Sequence, residues 1–388
     1  MKRIRILVLI LCACFVSAAS GQEDGWSEFH RPDMTRWNPG EHVLNVNNVG
    51  SLTLKWDQPE DNEWDSPIVA NGVVYVSAGS SLYARKASTG VKLWSYATGG
   101  TFASAAVADG VVYVVGTNTG NMYALKASTG ALLWSYPIGT DGDTITSSPA
   151  VANGVVYVGS GDYNVYALNA STGALLWSYA TGDTVDSSPA VANGVVYVGS
   201  VDSNVYALNA TTGVPLWSYS IGGFDGVYSS PAVANGVVYV GSSDGAGIFA
   251  LDASTGALLW SYDIPGDVYS SPAVANGVVY VGSGYKGNNY LYALDATTGV
   301  KLWSYATPGD GSFSSPAVAN GVVYYGTANT NDGGKGEIYA MNASTGVKLW
   351  SHATGSLLIG NAPAVANGMV YVEAAHKLWA FGLKKDQK

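Results

Sequence analysis

The chain has 388 residues, of which 47% are hydrophobic and only 12% charged, about half the share of charged residues usual in globular proteins. That balance excludes a disordered or collagen-like chain, and a net charge of −10 disfavours contact with a phosphate backbone, so nucleic acid is set aside as a partner. Glycine takes 49 positions and tyrosine 26 against five methionines, a composition of short strands joined by tight turns.

In chain order, Lys2, Arg3 and Arg5 come first, then an apolar run from Ile6 to Val16, then the small residues Ser17 to Gly21. A basic start, a short apolar stretch and a small-residue cleavage site read as a secretory signal over residues 1–21. The run is too short to span a bilayer comfortably, and no later segment is long enough. The expected location is therefore secreted, periplasmic or at the cell surface. Both cysteines, Cys12 and Cys14, fall inside the signal, which leaves the processed chain without a thiol. Leu11-Cys12-Ala13-Cys14 also has the pattern of a lipobox, under which Cys14 would carry a lipid anchor. Residues 22–51 are expected to form an N-terminal leader, 52–383 the folded domain and 384–388 a charged tail.

From Trp64 onward the sequence repeats itself. Leu-Trp-Ser-Tyr and its variants place tryptophan at Trp94, Trp134, Trp177, Trp217, Trp260, Trp303 and Trp350, at intervals of 40 to 47 residues. A period of that length built of strands implies a propeller with one four-stranded blade per repeat. One unit reads as strand A over 187–192, an Asn-Gly turn of the kind that favours type I′, strand B over 195–199, strand C over 204–209, a Thr-Gly turn, and strand D over 215–220. The A–B turn glycine recurs eight times, at Gly72, Gly110, Gly154, Gly194, Gly236, Gly277, Gly321 and Gly368. The chain ends at strand C of the eighth unit, and Leu52 to Trp56 has the look of the missing strand D. An N-terminal strand completing the last blade would close the ring and remove its open edges. The fold class is thus all-β: an eight-bladed propeller of four-stranded antiparallel blades, one domain where length alone suggests two or three.

The stretch from Ala250 to Trp260, Ala-Leu-Asp-Ala-Ser-Thr-Gly-Ala-Leu-Leu-Trp, resembles the docking motif of pyrroloquinoline-quinone-type (PQQ-like) propeller repeats, and it recurs from Ala84 through Trp350. The resemblance covers about residues 26–383. It implies that the seven repeat tryptophans dock one blade onto the next and are not cofactor ligands. Three glycosylation sequons, at Asn169, Asn209 and Asn342, fall on the acidic position of the motif, where a side chain that caps the turn is the favoured reading. His30, His42, His352 and His376 lack metal-ligand spacing, so no metal site is expected.

Function is sought on the face that carries the B–C and D–A loops, because almost all variation among repeats falls there. At the channel entrance, the third residue before the strand A proline (alanine in the second blade) is Trp64, Phe102, Thr146, Asp186, Tyr228, Tyr269, Phe313 and Gly360 in blade order. Trp64, Phe102, Asp186, Tyr228, Tyr269 and Phe313 are the candidate ligand-binding residues, with Asp141, Asp143, Asp183, Asp225, Asp267 and Asp310 nearby. Aromatic faces and carboxylates suit a protein, peptide or carbohydrate ligand; aromatics that simply cap the channel are the alternative. The expectation is a non-catalytic envelope scaffold, monomeric and without a cofactor. A PQQ-dependent dehydrogenase is the rival reading. The resemblance implies for such enzymes a quinone on the axis, a calcium ion, a carboxylate base and often an adjacent-cysteine disulfide. Asp186 could supply the base, but the processed chain has no cysteine, and Asn329 to Gly333 is only weakly like a calcium loop. A scaffold like the lipoprotein subunit of the outer-membrane barrel-assembly machine is the third.

Overall fold

The computed structural model describes residues 25–30, 34–60, 66–100, 103–139, 145–222, 226–243, 247–284, 289–307, 314–327, 336–355 and 362–384. Eight antiparallel sheets, each with strands in the order A-B-C-D, follow one another round a ring. The eight strands A pack side by side about the axis, and the last touches the first. In blade 4 the strands are Ala190–Ala192, Val195–Gly199, Asn204–Asn209 and Pro215–Ser220. Strands B to D match the sequence expectation; strand A is shorter, because Ser187 and Ser188 bond between blades instead of within the ladder. Thr53–Pro59 pairs with Lys377–Gly382, so the N-terminal strand completes blade 8 and closes the ring.

Local chemistry explains the hairpins. Asn193 and Gly194 have φ of 51° and 78°, the left-handed pair that a type I′ turn requires and that these two residues tolerate best. Strand B is buried on both faces, as its Val-Val-Tyr-Val run demands. A bulge between strands C and D recurs in every blade; in blade 4 it leaves Leu216 without a partner and sets Trp217 opposite Ala207.

Each docking tryptophan then reaches the neighbouring blade. Trp217 Nε1 donates to the Ala253 carbonyl at 3.0 Å, and Trp177 to Ala210 at 2.9 Å. The Tyr197 hydroxyl of strand B donates to the same Ala253 oxygen at 3.0 Å, with the Tyr197 and Trp217 ring centroids 5.8 Å apart. Gly256 of the next Thr-Gly turn lies under the Trp217 ring, where a Cβ would come within 2.7 Å of it. At the sequons, Asn169 Oδ1 accepts from the backbone N–H groups of Ser171 and Thr172 at 3.0 and 2.9 Å, which is the capping role. The closing blade uses the same device with different residues: Trp56 Nε1 donates to Ala87 O at 3.0 Å and Trp350 Nε1 to Leu52 O at 3.2 Å.

Candidate functional site

Strand A has one edge paired to strand B and the other facing the channel, where its backbone groups need partners. The N-terminal leader supplies them. Trp26 exchanges two bonds with Val69 of blade 1, at 2.6 and 2.7 Å. The Val107 N–H of blade 2 donates to Ser27 O at 2.7 Å, and the Val151 N–H of blade 3 to Glu28 Oε2 at 3.0 Å. After residues 31–33, which lie outside the described set, Met34, Thr35 and Arg36 accept from Val233, Val274 and Val318 of blades 5, 6 and 7. Trp37–Asn38 runs parallel to strand A of blade 7, and Asn38 Nδ2 donates to Val365 O of blade 8 at 2.8 Å. The leader therefore makes one circuit inside the channel and meets the blades in chain order. It leaves by the A–B turn face, where Glu41 Oε2 accepts from the Gly368 N–H.

A ring of serine hydroxyls lies around the axis toward the loop face. Ser66 N–H donates to Ser104 Oγ, Ser104 to Ser148, Ser148 to Ser188, Ser188 to Ser230, Ser230 to Ser271 and Ser271 to Ser315, at 2.8–3.2 Å. Ala362 N–H donates to Ser66 Oγ at 2.8 Å, so the circle passes through blade 8, but Ala362 has no hydroxyl to offer in return. The second serine of Ser-Ser-Pro is thus the inter-blade contact at the neck, a role that sequence reasoning missed although the repeated pair was visible.

The candidate residues sit two places before this ring. Asp186, Tyr228 and Tyr269, in the adjacent blades 4, 5 and 6, are all half-buried. The Tyr228 and Tyr269 ring centroids are 5.4 Å apart at 53°, a tilted aromatic pair beside the neck. Asp186 Oδ1 accepts from Thr146 Oγ1 at 3.0 Å and Oδ2 from Thr184 Oγ1 at 3.5 Å. Burial raises the Asp186 pKa above the usual carboxylate value; the two threonine hydroxyls oppose the rise and the Asp183 charge adds to it. The result is a more basic carboxylate, oriented by two hydroxyls at a channel mouth. Trp64, Phe102 and Phe313 lie outside the described residues, as do Asp141, Asp143, Asp225 and Asp310.

Beneath the mouth the floor is made by the leader. Arg36 is fully buried; its Nε donates to Pro316 O at 2.9 Å and Nη1 to Phe29 O at 2.6 Å. Its guanidinium carbon lies 4.5 Å from the Phe29 ring centroid and 5.5 Å from that of Trp26. His30, also buried, packs edge-on against Phe29. Among the described residues no group of three His, Cys, Asp or Glu side chains could hold a metal ion, and no helix is long and apolar enough to cross a membrane.

A PQQ-repeat family described as outer membrane protein assembly factor BamB matches residues 16–142, 118–227, 222–355 and 309–385, which together span nearly the whole chain. The chain belongs to this family. A quinoprotein ethanol dehydrogenase of Pseudomonas aeruginosa is 40% identical over 67 residues, 16% of this chain and 11% of that enzyme's length. Among solved structures, the quinohemoprotein alcohol dehydrogenase of Comamonas testosteroni superposes with a TM-score of 0.76 at 19% identity, covering 92% of this chain and 80% of that one. BamB of Moraxella catarrhalis superposes with a TM-score of 0.65 at 20% identity, covering 86% and 98%. At such identities the superpositions establish the shared propeller fold.

Two expectations are corrected by these relatives. The sequence points to a protein that is non-catalytic and without a cofactor, yet the local sequence match is to a quinoprotein ethanol dehydrogenase and one of the similar folds is a quinohemoprotein alcohol dehydrogenase. The reason for the misreading is physical: the docking motif is the strongest periodic signal and reports blade packing alone. A group used once at the axis leaves no period to detect.

Proposed function

We propose that this propeller is a quinone-dependent oxidoreductase of the cell envelope, with its reaction centre at the loop-face mouth. The observation that carries the reading is Asp186, a carboxylate made more basic by burial and oriented by Thr146 and Thr184. A flat quinone fits the tilted Tyr228–Tyr269 pair, whose ring faces would hold it beside the neck. Bound there, it would supply a two-electron acceptor. Asp186 would take the proton of a substrate hydroxyl as general base, a role suited by its raised pKa. The serine ring and the leader beneath it would close the axis to water from the far face. Among the described residues Asp183, Asp186 and Asp267 place carboxylates on the loop face; because no set of three ligands occurs among those residues, no step is assigned to a metal.

The test is reconstitution with PQQ, with and without calcium, followed by dye reduction with primary alcohols and aldoses. The expected result is turnover that falls about 10²- to 10⁴-fold in Asp186→Asn while the quinone absorbance is retained. Absence of both a quinone band and dye reduction contradicts the reading. A second reading, docking of an envelope protein, rests on the likeness to BamB, 98% of whose chain the superposition takes in. Recovery of barrel-assembly components from envelope extracts would support it.

A further inference from the structure

The channel floor holds a charge without a counter-charge. Arg36 is wholly shielded from solvent, no carboxylate among the described residues forms an ion pair with it, and Nη2 has no hydrogen-bond partner. Beside it, neither ring nitrogen of buried His30 makes a hydrogen bond of good geometry, although the Ser188 backbone lies close enough to interact with the ring. The two residues are tied through the backbone, the Arg36 N–H donating to His30 O at 2.9 Å. Arg36 is held there at a φ of 54°, a left-handed conformation that a side chain such as arginine seldom adopts, so the surrounding contacts force it into place. A buried guanidinium that lacks a carboxylate is costly, and a buried donor left unmade adds to the cost.

We infer that a small monovalent anion, of halide or nitrate size, is bound in the channel between Arg36 Nη2 and the His30 ring. Carbonyl oxygens already take Nε and Nη1, so one edge of the guanidinium remains, and a neutral imidazole adds a single N–H. Two donors suit a monatomic or small planar anion and are too few for sulfate or phosphate. Full burial of both side chains, with the Phe29 ring against the guanidinium, excludes a bulky ligand. The lowering of the Arg36 pKa from 12.5 to about 9 by burial has the same origin, an uncompensated positive charge. Such an anion would join the segments of the leader that serve blades 1 to 3 and 5 to 8. It would thus act as a pin for the channel circuit, independent of whatever occupies the loop-face mouth.

The experiment uses the full processed protein exchanged into gluconate buffer, then titrated with chloride, bromide or nitrate at constant ionic strength while the unfolding midpoint is followed. A saturable rise with each small anion, absent with further gluconate, is expected, because a ligand that binds only the folded state raises the midpoint. Arg36→Met should fold and lose that response. Crystals soaked in bromide should give an anomalous peak in contact with Arg36 Nη2, a readout that stands even if the variant fails to fold. Equal midpoints at matched ionic strength, an undiminished response in Arg36→Met, or bromide peaks only elsewhere would each overturn the site.

Discussion

The rim and the channel of this propeller join the same eight blades by opposite means. At the rim a single device is copied from blade to blade: an indole N–H to the next alanine carbonyl, with a glycine under the ring. In the channel one unrepeated segment serves the blades with a different residue at each stop, from Trp26 through Asn38. Copies tell how a ring is built; the segment that is not copied tells how this ring differs from others. The buried, incompletely bonded polar groups of the leader, His30 and Arg36, belong to the second kind.

Substitutions can break or sharpen that contrast. The largest effect is expected at the rim: Trp217→Ala should cost about 3–5 kcal/mol in denaturant titration through the cavity and the lost bond to Ala253. Equal cost at Trp134 would confirm that the device is a copy. The next is a pH effect confined to the channel. Burial first, and then the Arg36 charge, lower the His30 pKa from 6.5 to about 3, so folded His30 is neutral while unfolded His30 protonates below 6.5. Stability should therefore be greatest above pH 6.5 and fall as the pH drops toward 3, by up to several kcal/mol in halide-free buffer. His30→Gln should flatten that slope. An unchanged slope would show that other groups govern acid unfolding. The smallest effect concerns the gap in the serine ring. Ala362→Ser would give the Ser315 N–H a hydroxyl acceptor like those in the other blades and should raise stability by about 0.5–1.5 kcal/mol, read as a higher thermal midpoint.

Much of this architecture could be read in the sequence, because blade packing is written many times over. The Asn-Gly turns, the bounds of strands B, C and D in blade 4, and closure by the strand at Thr53–Pro59 all follow from residues with one conformational use. The sequence makes strand A too long, because Ser187 and Ser188 look like strand residues until their bonds to neighbouring blades are seen. The leader's path was not legible. Nothing in the run from Trp26 to Glu41 is periodic, and its bonds join residues as much as 327 positions apart. For the mouth, Asp186, Tyr228 and Tyr269 could be picked by position, but the hydroxyls that orient the carboxylate come from two different segments, at Thr146 and Thr184. Their convergence depends on the ring, not on spacing.

The central claim is that the copied rim builds the scaffold while the uncopied mouth on the loop face holds the quinone. It is tested most directly by titrating PQQ into the wild-type protein and into a Tyr228→Ala plus Tyr269→Ala variant, followed by quinone absorbance. The account predicts saturable binding to the wild type, weakened at least about tenfold in the variant, as loss of an aromatic pair worth about 1.5 kcal/mol would require, with an unfolding midpoint close to that of the wild type. Equal affinity in the two proteins would contradict it.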